Sequence, residues 1–159
     1  MRTKLVVNEN GIGLIETIAA LGIAIIVITS LVSLSVFTLK ASVQSKLLLK
    51  SSKLASEEME YVRAYRDSTT WAVFLSSVGS CVSTACHMLP TLAVSPGEEV
   101  FDAGKPMEIK RKFTVSDPID GTFSGNETLV RVSITVSWKV GGQTKLVHSY
   151  TDLSNWESI

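Results

Sequence analysis

The pattern of hydrophobic and polar positions changes character three times along the chain. From Thr17 to Leu39, 23 consecutive residues carry no charge, and apolar side chains fall on every face of a helix drawn through them. Such a helix spans about 35 Å at about 1.5 Å per residue, enough to cross a hydrocarbon core of about 30 Å. The run is longer than a secretory signal core of about 7–15 residues, and no Ala-x-Ala site follows it. It therefore predicts a lasting membrane helix rather than a removed signal. Beyond Leu39 the pattern becomes amphipathic. Leu47, Leu54 and Tyr61 recur seven apart, and Leu48, Ala55 and Val62 follow the same spacing. That stripe needs a surface to pack on, most simply a sheet made by the rest of the chain. Neither Gly nor Pro occurs between Gly22 and Gly79. One helix is expected to leave the apolar run and continue through residues 40–78, ending near the stretch DSTTW (67–71) or by Gly79.

Residues 79–106 hold Pro90, Pro96 and Pro106 and read as a loop region with short strands. The period then becomes two. Met107, Ile109, Phe113 and Val115 share one side with Arg111. Residues 117–126, DPIDGTFSGN, are rich in turn formers. In 129–140, Val130, Val132, Ile134, Val136, Trp138 and Val140 face one way. Arg131, Ser133, Thr135, Ser137 and Lys139 face the other, as in a half-buried antiparallel strand. Gly141–Gly142 marks a hairpin. A two-residue turn sets Trp138 opposite Lys145. A three-residue turn sets it opposite Leu146, and Ile134 opposite Tyr150. The second register joins apolar to apolar and is the expected one. Trp156 is expected to dock back on the sheet or the helix. The fold class is α+β. A long N-terminal helix, transmembrane over 12–39 and amphipathic over 40–78, packs on an antiparallel sheet within a head formed by 79–159.

Charge narrows the function without naming it. Fifteen basic residues balance fifteen acidic ones, so no general electrostatic case exists for nucleic-acid contact. Arg2 and Lys4 precede the apolar run, while Lys40, Lys46, Lys50 and Lys53 follow it, so positive charge does not decide the topology. Cys81 and Cys86 close a disulfide if that part lies outside the cytoplasm; otherwise they are two reduced, partly buried thiols. Their spacing is at the edge of zinc-ligand spacings and no second Cys/His pair follows, so no metal is expected, and His87 reads as a surface residue. The chain has no P-loop, G-x-S-x-G or H-E-x-x-H pattern, and neither an enzyme nor a cofactor is expected. Asn126-Glu127-Thr128 matches a glycosylation sequon, a short and weakly specific pattern. In SEEMEYVRAYRD (56–67), Glu58, Val62 and Arg66 share a face, with Glu58 and Arg66 too far apart to pair. Glu60 and Arg63 can pair at i, i+3 for about 0.2–0.5 kcal/mol. The cluster reads as a solvated face.

One acid remains unexplained. In NGIGLIETIAALGI (10–23), Glu16 stands at the head of the apolar run. A carboxylate in a membrane helix is costly and marks a functional site. The stretch resembles the prepilin signature of type IV pilins and pseudopilins: a short polar leader ending in Gly, an aromatic or apolar residue, a small residue, Leu, Ile or Val, then Glu. Gly11, Ile12, Leu14, Ile15 and Glu16 match in order. KLASEEMEYVRAYRD (53–67) and the closing hairpin also resemble, more loosely, minor pilins of the PilV kind and pseudopilins I. Ile12 where phenylalanine is commonest, and a span without proline, set the chain apart from major pilins. The resemblance implies that residues 1–11 are a leader cut after Gly11 by a prepilin peptidase at the inner membrane. It implies N-methylation of Ile12 and assembly with other pilin subunits on a pilus assembly platform. Leu14, Ile15 and Glu16 would take part in assembly, with Glu16 meeting the Ile12 amine of a neighbouring subunit. The head would stand outside the cytoplasm and then at the filament. The competing expectation is an uncleaved single-pass protein with an extracytoplasmic binding domain.

Overall fold

A computed structural model describes residues 10–105 and 107–156, with side chains from residue 13 onward. The fold is α+β, a long N-terminal helix and an antiparallel sheet. Residues 1–9 of the expected leader lie outside the described residues. Gly11 and Ile12 enter only as helical backbone. Helix α1 runs Asn10–Ser68, 59 residues. The chain divides into two compact units, residues 1–45 and 46–159.

In the first unit the helix is long and apolar enough to cross a membrane, and its side chains are outward-facing. The run contains hydroxyls, which would be costly in hydrocarbon if unbonded. Each finds a carbonyl one turn back. Thr29 bonds to Ile25 at 2.9 Å, Ser30 to Ile26 at 2.8 Å, and Ser33, Ser35 and Thr38 to Thr29, Leu31 and Leu34 at 2.9 Å. Ser and Thr are thereby tolerated without breaking the helix.

In the second unit, α1 presents Leu47, Ser51, Leu54, Ala55, Glu58, Met59, Val62 and Arg66 as its buried face. The stripe is rotated from the expected one, because Leu48 is exposed and Glu58 lies inside. Of the two expected ends the helix takes the earlier, within residues 67–71, and does not run unbroken to residue 78. It stops at Ser68, and a second helix, α2, runs Trp71–Val78. The hydroxyls of Ser68 and Thr69 both bond to the Tyr65 carbonyl at 2.9 Å, competing with the backbone ladder. Thr70 is extended, at φ −69° and ψ 153°. The break turns Trp71, Phe74, Leu75 and Val78 into the core, where Trp71 stacks on Phe74 at 5.4 Å.

After a 3-10 turn at Gly79–Cys81 come β1 (Cys86–Met88), β2 (Val94–Pro96), β3 (Glu99–Phe101), β4 (Ile109–Ser116), β5 (Leu129–Val140) and β6 (Gln143–Ser154). Among the described residues they form one six-stranded antiparallel sheet in the order β2-β1-β4-β5-β6, with β3 also pairing β4. The loop region thus carries three short strands. Ile109, Phe113, Val115, Val130, Val132, Ile134, Val136 and Trp138 form the buried sheet face, as their alternation requires. Met107 does not join it and is exposed just ahead of β4.

The β5–β6 register differs from the expected one. Trp138 pairs with Lys145, Ile134 with Ser149, and Val140 with Gln143. Gly141 and Gly142 both take positive φ, 59° and 80°, the geometry of a two-residue turn matched to strand twist. Turn geometry outweighed cross-strand apolar matching. Leu146 and Tyr150 stay exposed on the outer face, where Arg131 lies 4.9 Å from the Tyr150 ring centre and pairs with Asp152 at 2.7 Å. A Cβ on Gly142 would meet open space, so substitution there tests backbone conformation alone. Gly142→Ala should destabilise the full chain in maltoside micelles by about 1 kcal/mol, and Gly142→Asn by less, in urea unfolding followed by tryptophan fluorescence. Equal stability of Ala and Gly would contradict the two-residue turn.

Candidate assembly segment and buried ion cluster

The residues singled out from sequence fall in different places. Leu14, Ile15 and Glu16 all lie on exposed positions of α1 in the first unit. Cys81 and Cys86 form a disulfide, with Cα atoms 5.5 Å apart. Both are fully buried, and the bond pins the 3-10 turn after α2 to the start of β1. His87, next to it, is half-buried, and its Nδ1 lies 3.1 Å from the Gly97 carbonyl. Among the described residues no three His, Cys, Asp or Glu side chains gather as a metal site.

The head also brings together charges that the sequence pattern did not flag as a site. Glu58 is not on a solvated face; it is fully buried. Arg111, in the middle of β4, is 2% exposed and faces it. Arg111 Nε stands 3.0 Å from Glu58 Oε2, an ion pair without hydrogen-bond alignment. Its two terminal nitrogens donate to the Leu54 carbonyl at 3.3 Å and to the Glu99 carboxylate. The guanidinium also lies 5.1 Å from the Phe101 ring centre. Helix α1 and strands β3 and β4 therefore converge on one cation.

The second carboxylate oxygen of Glu58 has a different task. β1 meets β4 only at Cys86–Phe113, because β3 takes the edge of β4 from Arg111 to Ile109. The Met88 N–H consequently has no strand to bond, and Glu58 Oε1 accepts it at 2.7 Å. A side chain from α1 replaces a missing ladder partner. Burial pushes the Glu58 carboxyl above its ordinary value near 4.5, against the pull of Arg111 and of the Met88 N–H. Two signals for this cluster were present in the sequence. Glu58 is spaced three and four residues from Ala55, Leu54 and Val62 on the apolar stripe, and Arg111 alternates with Ile109 and Phe113.

The remaining charges are peripheral. Glu60 and Arg63 pair at 3.0 Å as their spacing allows. Arg66, mostly buried, bonds to Asp67 at 2.9 Å and to the Ser154 carbonyl at the end of β6. Its guanidinium lies 5.1 Å from the Trp156 ring centre and 5.8 Å from that of Trp71. Trp156 thus reaches the helix through Arg66 while its ring stays exposed. Asp102 takes Lys50 of α1 at 2.9 Å and Lys105 at 2.8 Å, and these bonds, Lys105 first, hold its carboxyl down at about 2. Arg66 and Lys50 tie α1 to the end of β6 and to the segment after β3.

The chain matches no family model, no curated protein and no solved structure.

Removing the cation should expose the cost of the buried acid. Arg111→Ala should destabilise the full chain by about 3–5 kcal/mol, because Glu58 loses its partner inside the core. Glu58→Leu combined with Arg111→Met should lose far less, giving a large coupling in a double-mutant cycle. The pH dependence has a definite sign. With its folded value raised, Glu58 keeps a proton in the folded chain where the unfolded chain has lost it. Its contribution is complete below about 4.5 and is lost as pH rises through the folded value. The stability of the native chain relative to Glu58→Gln should therefore fall as pH rises across that window. A difference independent of pH would contradict the raised carboxyl.

Proposed function

We propose that the chain is a structural filament subunit, a minor type IV pilin or pseudopilin, processed after Gly11 and assembled through its N-terminal helix. The observation that carries this reading is the division of labour along α1. Between Gly13 and Leu39 the apolar side chains face outward and pack on no other described segment. From Leu47 onward the same helix buries a stripe against its own sheet. A helix apolar on all sides needs lipid or other helices as its solvent. Lateral packing of such helices into a filament core supplies the second of these after the membrane supplies the first.

Glu16 fits that role on chemical grounds. Cleavage after Gly11 would create an amine on Ile12, one turn from Glu16. An acid in low dielectric gains most from a cation that shares its environment. The amine of a neighbouring subunit would offset the cost of the carboxylate and fix the axial step between subunits. The disulfide between Cys81 and Cys86 supports a head outside the cytoplasm, where such bonds persist.

The reading is checked by intact mass and N-terminal sequencing of the protein extracted from membranes of its native host. A chain beginning at methylated Ile12 is the expected product. A chain still beginning at Met1, where a prepilin peptidase is active, would make it an uncleaved single-pass protein instead. Glu16→Ala is expected to leave the protein membrane-bound and to remove it from sheared filament or pseudopilus fractions. Normal incorporation of that variant would refute the intersubunit pairing.

A further inference from the structure

We propose that the free edge of β6 is a docking site for an extended segment of another protein, which adds to the sheet as a further strand. β6 ends the strand order, so its side away from β5 meets no strand among the described residues. The two rims of the sheet are guarded unequally. At the far rim, β2 and β3 are three residues long, and β2 ends in Pro96. Such edges pair poorly with foreign strands. β6 has twelve residues, all paired with β5 in one continuous register, so no bulge twists it away. It holds no proline, and from Leu146 to Thr151 it holds no Lys, Arg, Asp or Glu.

The hairpin turn sets which backbone groups point outward. A two-residue turn makes Val140–Gln143 a hydrogen-bonded pair, so odd-numbered residues of β6 bond to β5 and even-numbered ones face away. Two bonds at the other end of the strand agree with this phase. The Asn155 N–H turns inward to the Thr128 carbonyl at 2.9 Å, and the Ser154 carbonyl turns outward to Arg66. Arg66 therefore closes the edge at Ser154. Between that point and the turn, the N–H and C=O groups of Leu146, His148 and Tyr150 form a regular outward row. The backbone of another extended chain has the matching repeat of donors and acceptors. Side chains add a second requirement. Leu146 and Tyr150 stand exposed on the outer face, and Val147 is half-buried on the other. The segment that fits is uncharged and carries β-branched or aromatic residues. A second copy is the poorer occupant. Pairing β6 with β6 about a two-fold axis normal to the sheet would reverse α1 in one head, which chains anchored by the same end of α1 in one membrane cannot adopt. That exclusion alone rests on the membrane reading of α1.

The test uses the full ¹⁵N-labelled chain in maltoside micelles. The probe is a short blocked peptide alternating threonine and valine, and the control is the same peptide with proline at its centre. The probe should slow hydrogen exchange of the Leu146, His148 and Tyr150 amides by about tenfold, and the control should leave them unchanged. His148→Pro removes an outward N–H and no bond to β5. It should weaken probe binding by about tenfold while tryptophan fluorescence still reports a folded head. Leu146→Lys, at an exposed position, serves if that variant unfolds, because a charge on the edge should weaken the probe in the same direction. The readout lies in the head and does not depend on cleavage after Gly11, so it stands apart from the test of the filament reading. The proposal is overturned if the three amides do not slow, if the proline peptide slows them equally, or if the variants bind the probe like the native chain. It is also overturned if the amides are already slow in the free chain and quicken on dilution, which would give the edge to a second copy.

Discussion

The head is organised around one buried guanidinium. Arg111 sits in the middle of β4, where alternation points its side chain into the core. A buried cation of this kind must be met by acceptors from whatever packs against it. Glu58 and the Leu54 carbonyl come from α1, and Glu99 comes from β3. Together they tie this stretch of α1 and strand β3 to the same point of β4. An apolar substitute of similar volume can match such a cluster in stability. What the ions add is placement: the helix face is chosen by Glu58 rather than by Leu48.

The same hydroxyl chemistry has two outcomes along α1. In the apolar half, Ser and Thr bond back to carbonyls one turn earlier and the helix runs on. At Ser68 and Thr69 identical bonds to Tyr65 coincide with its end. The difference lies in the next segment of chain. Beyond residue 70, Trp71, Phe74 and Val78 have a core to enter, and only a change of direction brings them there. In the first half, among the described residues, no side chain enters a core, and the hydroxyl bonds leave the helix running.

In the proposed reading, the apolar helix and Glu16 would meet membrane and then neighbouring helices. That reading rests on apolar area that has no partner among the described residues, a demand for hydrophobic contact that the folded chain leaves unmet.

Much of this was legible in the sequence, because it depends on local repetition. The uncharged run from Thr17 to Leu39 specifies a helix apolar on every side, and the strict alternation from Val130 to Trp138 specifies a half-buried strand. The paired glycines specify a turn, since few other residues accept positive φ twice in succession. The rest depended on contacts between distant segments. Whether β5 and β6 paired in one register or the next was a contest between turn strain and side-chain matching, decided where Gly141 and Gly142 took their conformations. The acids of 56–67 look solvated in one dimension. Only the approach of β4 turned Glu58 into a buried counterion, and only the divergence of β1 from β4 gave it the Met88 N–H to bind. Period and composition set which faces are apolar; three-dimensional packing alone decides which charges must accompany them inside.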